Sequence, residues 1–190
     1  LCFSTPFDKT AVDFLETLRN PIYKIASFEI TDISLIEYAA KKMKPMIIST
    51  GIAMLEDIEL AVNTCRSVGN NNVTLLKCTS SYPAPIEDAN LCMIPDLARR
   101  FTVKSGLSDH TLGSISAITA IALGATMVEK HFIIDRSMGG PDAAFSMNEE
   151  EFKQMVKDIR DVEKSIGEIR YELTDKMKVG REFSRSLYRT

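Results

Sequence analysis

Residues 45–77 read PMIISTGIAMLEDIELAVNTCRSVGNNNVTLLK and place a helical pattern between two apolar, strand-like runs at 45–48 and 73–77. The apolar residues between the runs recur at three- and four-residue spacing, at Leu55, Ile58, Ala61, Val62, Cys65 and Val68. Gly69 follows and is well suited to end a helix in the left-handed conformation. A strand, a helix and a strand in this order predict a right-handed βαβ unit with parallel strands.

The same alternation continues along the chain. We predict strands at residues 1–3, 23–26, 45–48, 73–77, 103–107 and 126–129, with helices between them. One helix runs from Asn90 to Phe101, with Pro95 as its weak point. Six such units without a glycine-rich dinucleotide turn favour an α/β fold of the (β/α)8 TIM-barrel type over a doubly wound sheet. The chain would then hold strands 3 to 8 of a barrel; an open sheet is the alternative.

The last helix has the clearest amino-terminal signal. Asn148 is a suitable N-cap and Glu151 follows three residues later, which is a capping-box pattern. Its apolar stripe precedes Gly167 and consists of Phe152, Met155, Val156, Ile159, Val162 and Ile166. We therefore assign residues 1–167 to a partial TIM-barrel catalytic domain.

The chain begins at Leu1 inside a strand-like run, without a methionine. We expect it to be an excerpt from a longer protein. Six of eight barrel strands leave two open edges and an uncovered core. The excerpt alone is therefore expected to aggregate or to remain molten.

Composition argues against several classes of function. The formal net charge is −3 and there is no basic tract, so we expect no nucleic-acid partner. No apolar run approaches a membrane span and no signal-peptide pattern is seen, so we expect no membrane association. The four cysteines lack a C-x-x-C pair and are expected to be small core residues of a cytoplasmic protein; they are Cys2, Cys65, Cys78 and Cys92.

Polar side chains follow every predicted strand. In a (β/α)8 barrel the carboxyl ends of the strands form the rim that carries the active site. Hydroxyl groups suited to an oxyanion come from Thr5, Ser27, Ser49 and Ser108. Lys24 lies within a strand and provides a cation for phosphate or carboxylate. A surface lysine and a Schiff-base nucleophile are its alternatives. Cys78 has no dedicated histidine base, so we expect it to contribute packing.

The chain has only two histidines, and both lie where a strand is ending. His110 and His131 would reach one rim from successive strands, with Asp109 and Glu129 nearby in sequence. Neutral imidazole is the commonest metal ligand in proteins. Two imidazoles with oxygen donors or water suit Mn²⁺ or a similar ion better than a closed structural zinc site. The alternative is a pair of hydrogen-bonded structural histidines.

These motifs resemble the sialic acid synthase family, whose members condense phosphoenolpyruvate with an amino sugar. The resemblance extends over almost the whole chain and rests on STPF at 4–7, YKIAS at 23–27, STG at 49–51, CTSSYP at 78–83, GLSDHT at 106–111, ALGA at 122–125, EKHF at 129–132 and GPD at 140–142. Within the family the chain is most similar to the pseudaminic acid branch. The residues that favour this branch are Phe28, Lys77, Ser80 and Ser186, Leu187 and Tyr188, with the opening run LCFSTPF. The legionaminic and N-acetylneuraminic branches remain alternatives.

The resemblance implies specific roles. Phosphoenolpyruvate would be surrounded by Lys24, Thr5, Ser27, Ser49 and Ser108, with Ser80 in the place of an asparagine of the sialic branch. His110 and His131 would hold a divalent metal, with Mn²⁺ expected and Mg²⁺ or Co²⁺ as alternatives. Glu29, Tyr82 and Asp142 would contact the amino sugar or metal-bound water. Among these, the catalytic residues would be Lys24, Glu29, His110 and His131.

The resemblance also implies a homodimer in which a carboxyl-terminal antifreeze-like (SAF) domain covers the partner's active site. Residues 168–190 would then begin the linker toward that domain. Two other functions fit the polar rim. A class I aldolase would use Lys24 as a Schiff-base nucleophile without a metal, and a non-catalytic sugar- or phosphate-binding barrel would bind its ligand without turnover.

Overall fold

The computed structural model describes residues 1–184, in which five strands alternate with helices. The strands are β1 (Tyr23–Ile25), β2 (Met46–Ser49), β3 (Val73–Cys78), β4 (Lys104–Asp109) and β5 (Val128–Lys130). The α-helices are α1 (Lys9–Thr17), α2 (Ile33–Ala40), α3 (Leu55–Ser67), α4 (Met93–Phe101), α5 (Ile115–Ala122), α6 (Glu149–Ile166) and α7 (Asp175–Phe183). The branch markers Ser186, Leu187 and Tyr188 lie outside the described residues.

All neighbouring strands are parallel, and their order in the sheet is their order in the sequence. The edge strands β1 and β5 would be roughly 19 Å apart in a flat sheet, which is farther than a lysine and a glutamate together can reach. Nevertheless Lys24 Nζ on β1 lies 2.9 Å from Glu129 Oε1 on β5. The sheet is therefore curled into a half-barrel, which confirms the expected partial (β/α)8 barrel.

The predicted first strand, at residues 1–3, is wrong in position and extent. Only Ser4 pairs with the sheet, through a single parallel bridge to Tyr23. The backbone amide of Ser4 donates to the side chain of Asn20 at 3.2 Å. That amide is therefore bonded to a side chain and not to the sheet, and Leu1 and Phe3 before it are exposed.

The predicted helices are confirmed, with small changes in their bounds. Gly69 adopts φ +87° just beyond α3, and α6 begins with the expected capping box between Asn148 and Glu151. The helix predicted from Asn90 begins at Met93 instead, because Asn90 has a positive φ of 43°. Pro95 consequently falls in the first turn of α4, where a missing backbone N–H costs no intrahelical hydrogen bond.

Alternate strand residues point to opposite sides of the curled sheet. One set packs against the surrounding helices in the largest apolar cluster and includes Tyr23, Ile25, Met46, Ile48, Val73 and Leu75. We call this side the outer face. The residues between them form the inner face, which lines the concave side of the half-barrel and includes Lys24, Ser49, Cys78, Ser108 and Glu129. Apolar burial on the outer face thus fixes which polar side chains line the interior.

The expectation that all four cysteines are core residues is half right. Cys65 and Cys78 are buried, whereas Cys2 and Cys92 are exposed. Cys2 lies in the unpaired segment before Ser4, and Cys92 lies in the turn that precedes α4. Among the described residues, no helix combines the length and apolarity that crossing a membrane requires.

Candidate active site

An ionic network joins the two edges of the half-barrel. Lys24 Nζ donates to Glu129 Oε1 at 2.9 Å, and Ser108 Oγ donates to the same oxygen at 2.6 Å. The side chain of Lys24 is 9% exposed and that of Glu129 is 40% exposed, so the network is open to the interior on the glutamate side. Sequence reasoning assigned Lys24 and Ser108 to the site but omitted Glu129, which joins them.

The two histidines meet, as predicted, at the carboxyl ends of neighbouring strands. His110 follows β4 and His131 follows β5 directly. Their ring centroids lie 5.2 Å apart. Tyr82 packs its ring 4.3 Å from that of His110 and 6.1 Å from that of His131. Tyr82 is therefore part of the wall beside the histidine pair.

The hydrogen bonds of the imidazoles suit a metal-binding role. His110 Nδ1 lies 2.9 Å from the Thr79 carbonyl oxygen, which can only accept, so Nδ1 carries the proton and Nε2 keeps a lone pair. His131 Nδ1 faces Asp142 Oδ2 at 3.4 Å. A second ring nitrogen held by a carbonyl or carboxylate is the usual arrangement for a metal-binding histidine. Asp142 thus lies next to a proposed ligand.

Two imidazoles fit a divalent ion only if other ligands complete the coordination. Within residues 1–184 there is no group of three or more histidine, cysteine, aspartate or glutamate side chains arranged to hold a metal. Water and substrate oxygens would supply the remaining positions. Such a mixed nitrogen and oxygen set suits Mn²⁺ or a similar transition-metal ion and differs from a closed structural zinc site.

The pKa values of the two histidines are shifted in opposite directions. Burial lowers the pKa of His131, and the neighbouring His110 lowers it further. Burial also acts to lower the pKa of His110, but its hydrogen bonds with Cys78 and the Thr79 carbonyl outweigh that effect and raise it. A metal requires neutral imidazole, so binding at His110 competes with a proton.

Cys78 lies on the inner face beside His110, a contact that the prediction of no dedicated histidine base did not include. Its sulfur is 3.8 Å from His110 Nδ1 and 3.9 Å from Ser80 Oγ. Burial raises the pKa of the Cys78 thiol, but hydrogen bonds with His110, Ser27 and Ser80 outweigh it and bring the pKa below its ordinary value. Sequence separation concealed this contact, because His110 comes 32 residues later.

Gly51 allows three strand ends to converge. Its backbone N–H donates to Ser27 Oγ at 3.0 Å. A Cβ at this position would collide with the side chains of Ser80 and Ser27 and touch Cys78. The STG motif therefore contributes two hydroxyl groups and a glycine that leaves room for the neighbouring side chains. The result is a floor of small polar groups next to the histidine pair.

Two buried polar atoms of predicted site residues have no hydrogen-bond partner among the described residues. They are Ser49 Oγ and Glu29 Oε2. Buried polar atoms are nearly always satisfied, so an orphaned hydroxyl on the inner face marks a place for a ligand or water. Thr5, half-buried, follows the Ser4–Tyr23 bridge and therefore lies beside β1.

A family model described as the NeuB family matches residues 1–171. The chain belongs to the NeuB family. The same segment contains both histidines and every other residue of the candidate site.

Curated relatives of this NeuB-family chain include synthases for different sugar acids. The chain is 49% identical over 187 residues to a pseudaminic acid synthase of Helicobacter pylori, which covers 98% of the chain and 55% of the relative. It is 42% identical over 168 residues to an N,N'-diacetyllegionaminic acid synthase of Legionella pneumophila, which covers 86% of the chain and 47% of the relative. The chain thus spans about half the length of these relatives.

A solved structure supports the same grouping. The N-acetylneuraminic acid synthetase of Leptospira borgpetersenii, crystallised with citrate, superposes with a TM-score of 0.88 at 34% identity. The match covers 99% of this chain and 66% of that one. The half-barrel is therefore a shared part of the family fold.

Proposed function

We propose that the protein carrying this chain is a nonulosonic acid synthase, and specifically a pseudaminic acid synthase. It would condense phosphoenolpyruvate with 2,4-diacetamido-2,4,6-trideoxy-L-altrose to give pseudaminic acid and phosphate. The observation that carries the proposal is the inner face, where the Lys24–Glu129–Ser108 network lies beside two histidines. The identity of 49% to a pseudaminic acid synthase favours that branch over the others.

Phosphoenolpyruvate is a small polyanion and needs a cation with several hydroxyl donors. Lys24 supplies the buried cation, and the unpartnered hydroxyl of Ser49 is free to donate. Ser27 Oγ accepts from the Gly51 amide at 3.0 Å, which holds its hydroxyl among the small polar groups beside Ser49. Charge-assisted hydrogen bonds of this kind are about twice as strong as neutral ones. We assign Thr5, Ser80 and Ser108 to the same anion site.

His110 and His131 would hold a divalent ion through Nε2, with Mn²⁺ as the proposed metal. When bound, the ion would act as a Lewis acid on the aldehyde oxygen of the open-chain amino sugar. Tyr82 lies against both imidazoles and would position the sugar. Asp142 faces His131 and Glu29 presents an unpartnered carboxylate oxygen, so either can accept a proton from the sugar or from water.

The bonds change in a defined order. C3 of phosphoenolpyruvate forms a bond to the aldehyde carbon, whose oxygen takes up a proton and becomes a hydroxyl. Water then adds at C2 and loses a proton. The C2–O bond to phosphate breaks, and phosphate leaves with that oxygen and with the proton of the new C2 hydroxyl, so that C2 becomes the carbonyl carbon of the product. Lys24 would stabilise the negative charge of phosphate throughout, because it remains the buried cation of the site.

The proposal includes an arrangement for the complete protein. Residues 1–167 would belong to the catalytic barrel and residues 168–190 to a linker toward a carboxyl-terminal antifreeze-like domain. In support, α6 ends at Ile166, and α7 contains no buried residue. The complete protein would be a cytoplasmic homodimer.

The geometry disfavours a class I aldolase. A Schiff-base lysine must be a neutral nucleophile, whereas Lys24 donates to the carboxylate of Glu129 at 2.9 Å. Borohydride treatment of the complete protein with substrate would trap a covalent adduct on Lys24 only if the aldolase reaction occurred. We expect no adduct.

The decisive experiment is phosphate release by the complete protein with Mn²⁺ and phosphoenolpyruvate. The altrose derivative, the legionaminic precursor and N-acetylmannosamine are offered separately. We expect release with the altrose derivative alone. Release with N-acetylmannosamine or the legionaminic precursor alone would move the protein to another branch. Binding of phosphoenolpyruvate without release from any acceptor would favour a non-catalytic binding barrel.

A further inference from the structure

A second ionic network lies on the outer face, directly behind the histidines. Lys130 Nζ donates to Asp109 Oδ2 at 2.8 Å, and the two side chains are only 2% and 1% exposed. Lys130 Nζ also donates to the carbonyl oxygen of Thr111 at 2.5 Å. This ion pair is far more buried than the inner pair of Lys24 and Glu129.

The network extends through Thr111 to helix α5. Asp109 Oδ1 accepts the backbone N–H of Thr111 at 2.9 Å and its hydroxyl at 2.8 Å. The Thr111 hydroxyl also lies 3.1 Å from Ser116 Oγ, and Ser116 belongs to α5. The carboxylate thus accepts three hydrogen bonds and the ammonium donates two, all within the space between the sheet and the helix.

The position of this network in the sequence is informative. Asp109 and Thr111 flank His110, and Lys130 precedes His131. Asp109 and Lys130 are also partners in register, as the last pair of the β4–β5 ladder. The ion pair consequently connects the two strands at their carboxyl ends, immediately before each histidine.

Stability alone does not account for this arrangement. Desolvating two charges costs several kcal/mol per ion, and apolar replacements of similar volume are often as stable or more so. A buried ion pair held by several hydrogen bonds, in contrast, favours one relative placement of its two strands. That placement determines how far apart the two imidazoles lie.

We propose that Asp109 and Lys130 are positioning residues that set the distance and orientation of His110 and His131 for one shared divalent ion. The inference rests on the proposed function only through the metal-binding role of the histidines. Neither Asp109 nor Lys130 touches the ion or the substrates. They act through the backbone that carries the two imidazoles.

The test compares metal binding with phosphoenolpyruvate binding in the complete protein. The double variant Asp109→Asn/Lys130→Met keeps the net charge and approximates both shapes, so it changes the long-range field at the ion very little. Mn²⁺ affinity is measured from the electron paramagnetic resonance signal of free Mn²⁺. Phosphoenolpyruvate affinity is measured by calorimetry without metal. We expect Mn²⁺ affinity to fall about 10- to 100-fold, as for other residues that orient metal ligands, with phosphoenolpyruvate affinity unchanged.

Thr126→Val is the matched control. Thr126 Oγ1 donates to the Ser105 carbonyl at 3.0 Å and connects β4 to the segment just before β5, at the other end of the ladder. This variant should bind Mn²⁺ like the wild type. Thr111→Val is a milder second variant, because it removes the hydroxyl contact to Asp109 and keeps the ion pair. We expect it to weaken Mn²⁺ binding by a smaller factor.

The metal site and the positioning role can be overturned by different results. If His110→Ala and His131→Ala leave Mn²⁺ binding intact, the metal site and the proposed function fail. If they abolish binding while a folded Asp109→Asn/Lys130→Met protein binds Mn²⁺ like the wild type, only the positioning role is overturned. Should the double variant not fold, unchanged Mn²⁺ affinity in Thr111→Val overturns the positioning role.

Discussion

The inner and outer faces of β4 and β5 carry different kinds of polar chemistry within the same short strands. On the inner face, Glu129 is paired with a serine and a lysine but remains 40% exposed. On the outer face, one residue away, Asp109 and Lys130 are almost fully excluded from solvent. Neighbouring positions of a strand thus present a partly open ionic network on one side and a sealed ion pair on the other.

This difference has an energetic consequence. A polar group that faces water can lose its partner and be rehydrated, whereas a buried charge cannot. Variants of the outer face should therefore lower the free energy of unfolding. Variants of the inner face should lower activity instead. The two sets of effects can be measured separately.

The largest expected effect follows removal of the outer cation. Lys130→Met leaves the Asp109 carboxylate buried without a counter-charge, which should lower the free energy of unfolding by about 3–5 kcal/mol. Urea denaturation of the complete protein measures the change. The inner-face counterpart is Lys24→Met, which should cost less than about 1 kcal/mol because the Glu129 carboxylate left behind is 40% exposed and can be hydrated. Equal losses of unfolding free energy in the two variants would contradict the proposed difference between the outer and inner faces.

The next effect concerns activity. Lys24→Met removes the buried cation proposed to bind phosphate, and we expect kcat to fall about 10²- to 10³-fold, as when one preorganised electrostatic donor is lost. Steady-state phosphate release measures it. Lys44→Met is the control, since Lys44 pairs with Glu16 on the outer face at 2.6 Å. If Lys44→Met were as inactive as Lys24→Met, the assignment of chemistry to the inner face would be wrong.

The smallest effect tests a half-exposed network on the outer face of β1. Burial raises the pKa of Glu16, but hydrogen bonds from Lys44 and Tyr23 outweigh it, so the pKa lies below its ordinary value of 4.5. A lowered carboxyl pKa adds stability above the unfolded-state pKa and loses it as the pH falls through the folded-state pKa.

Glu16→Gln should therefore be less stable than the wild type at neutral pH by no more than about 1 kcal/mol. The difference should shrink as the pH is lowered below 4.5. Urea midpoints at several pH values measure it. A difference that stays constant across this range would show that the carboxylate charge of Glu16 does not contribute.

Most of the fold was predictable, because it follows from local periodicity. The βαβ pattern around residues 45–77, the capping box at Asn148 and the cap at Gly69 all depend on nearby residues. The first strand was not predictable in this way. Only Ser4 pairs with β1, and the Ser4 amide bonds to the side chain of Asn20, which lies 16 residues later in the chain.

Contacts of the candidate site between neighbouring strand ends could be predicted from the sequence. Contacts that depend on the curl of the sheet could not. His110 and His131 follow neighbouring parallel strands, so their proximity could be inferred. Glu129 could not be paired with Lys24 from sequence, because that contact spans 105 residues and requires the edges of the half-barrel to approach each other. The outer partners Asp109 and Lys130 were detectable as the alternating neighbours of site residues, but only register identifies them as a pair.

The most direct test of the central claim is a crystal structure of the complete protein with Mn²⁺ and phosphoenolpyruvate, using the anomalous signal of manganese. We predict one manganese peak bonded to Nε2 of both His110 and His131, with the phosphoenolpyruvate anion in contact with Lys24. A manganese peak away from the histidines, or phosphoenolpyruvate bound outside the inner face, would contradict the assignment of the chemistry to that face.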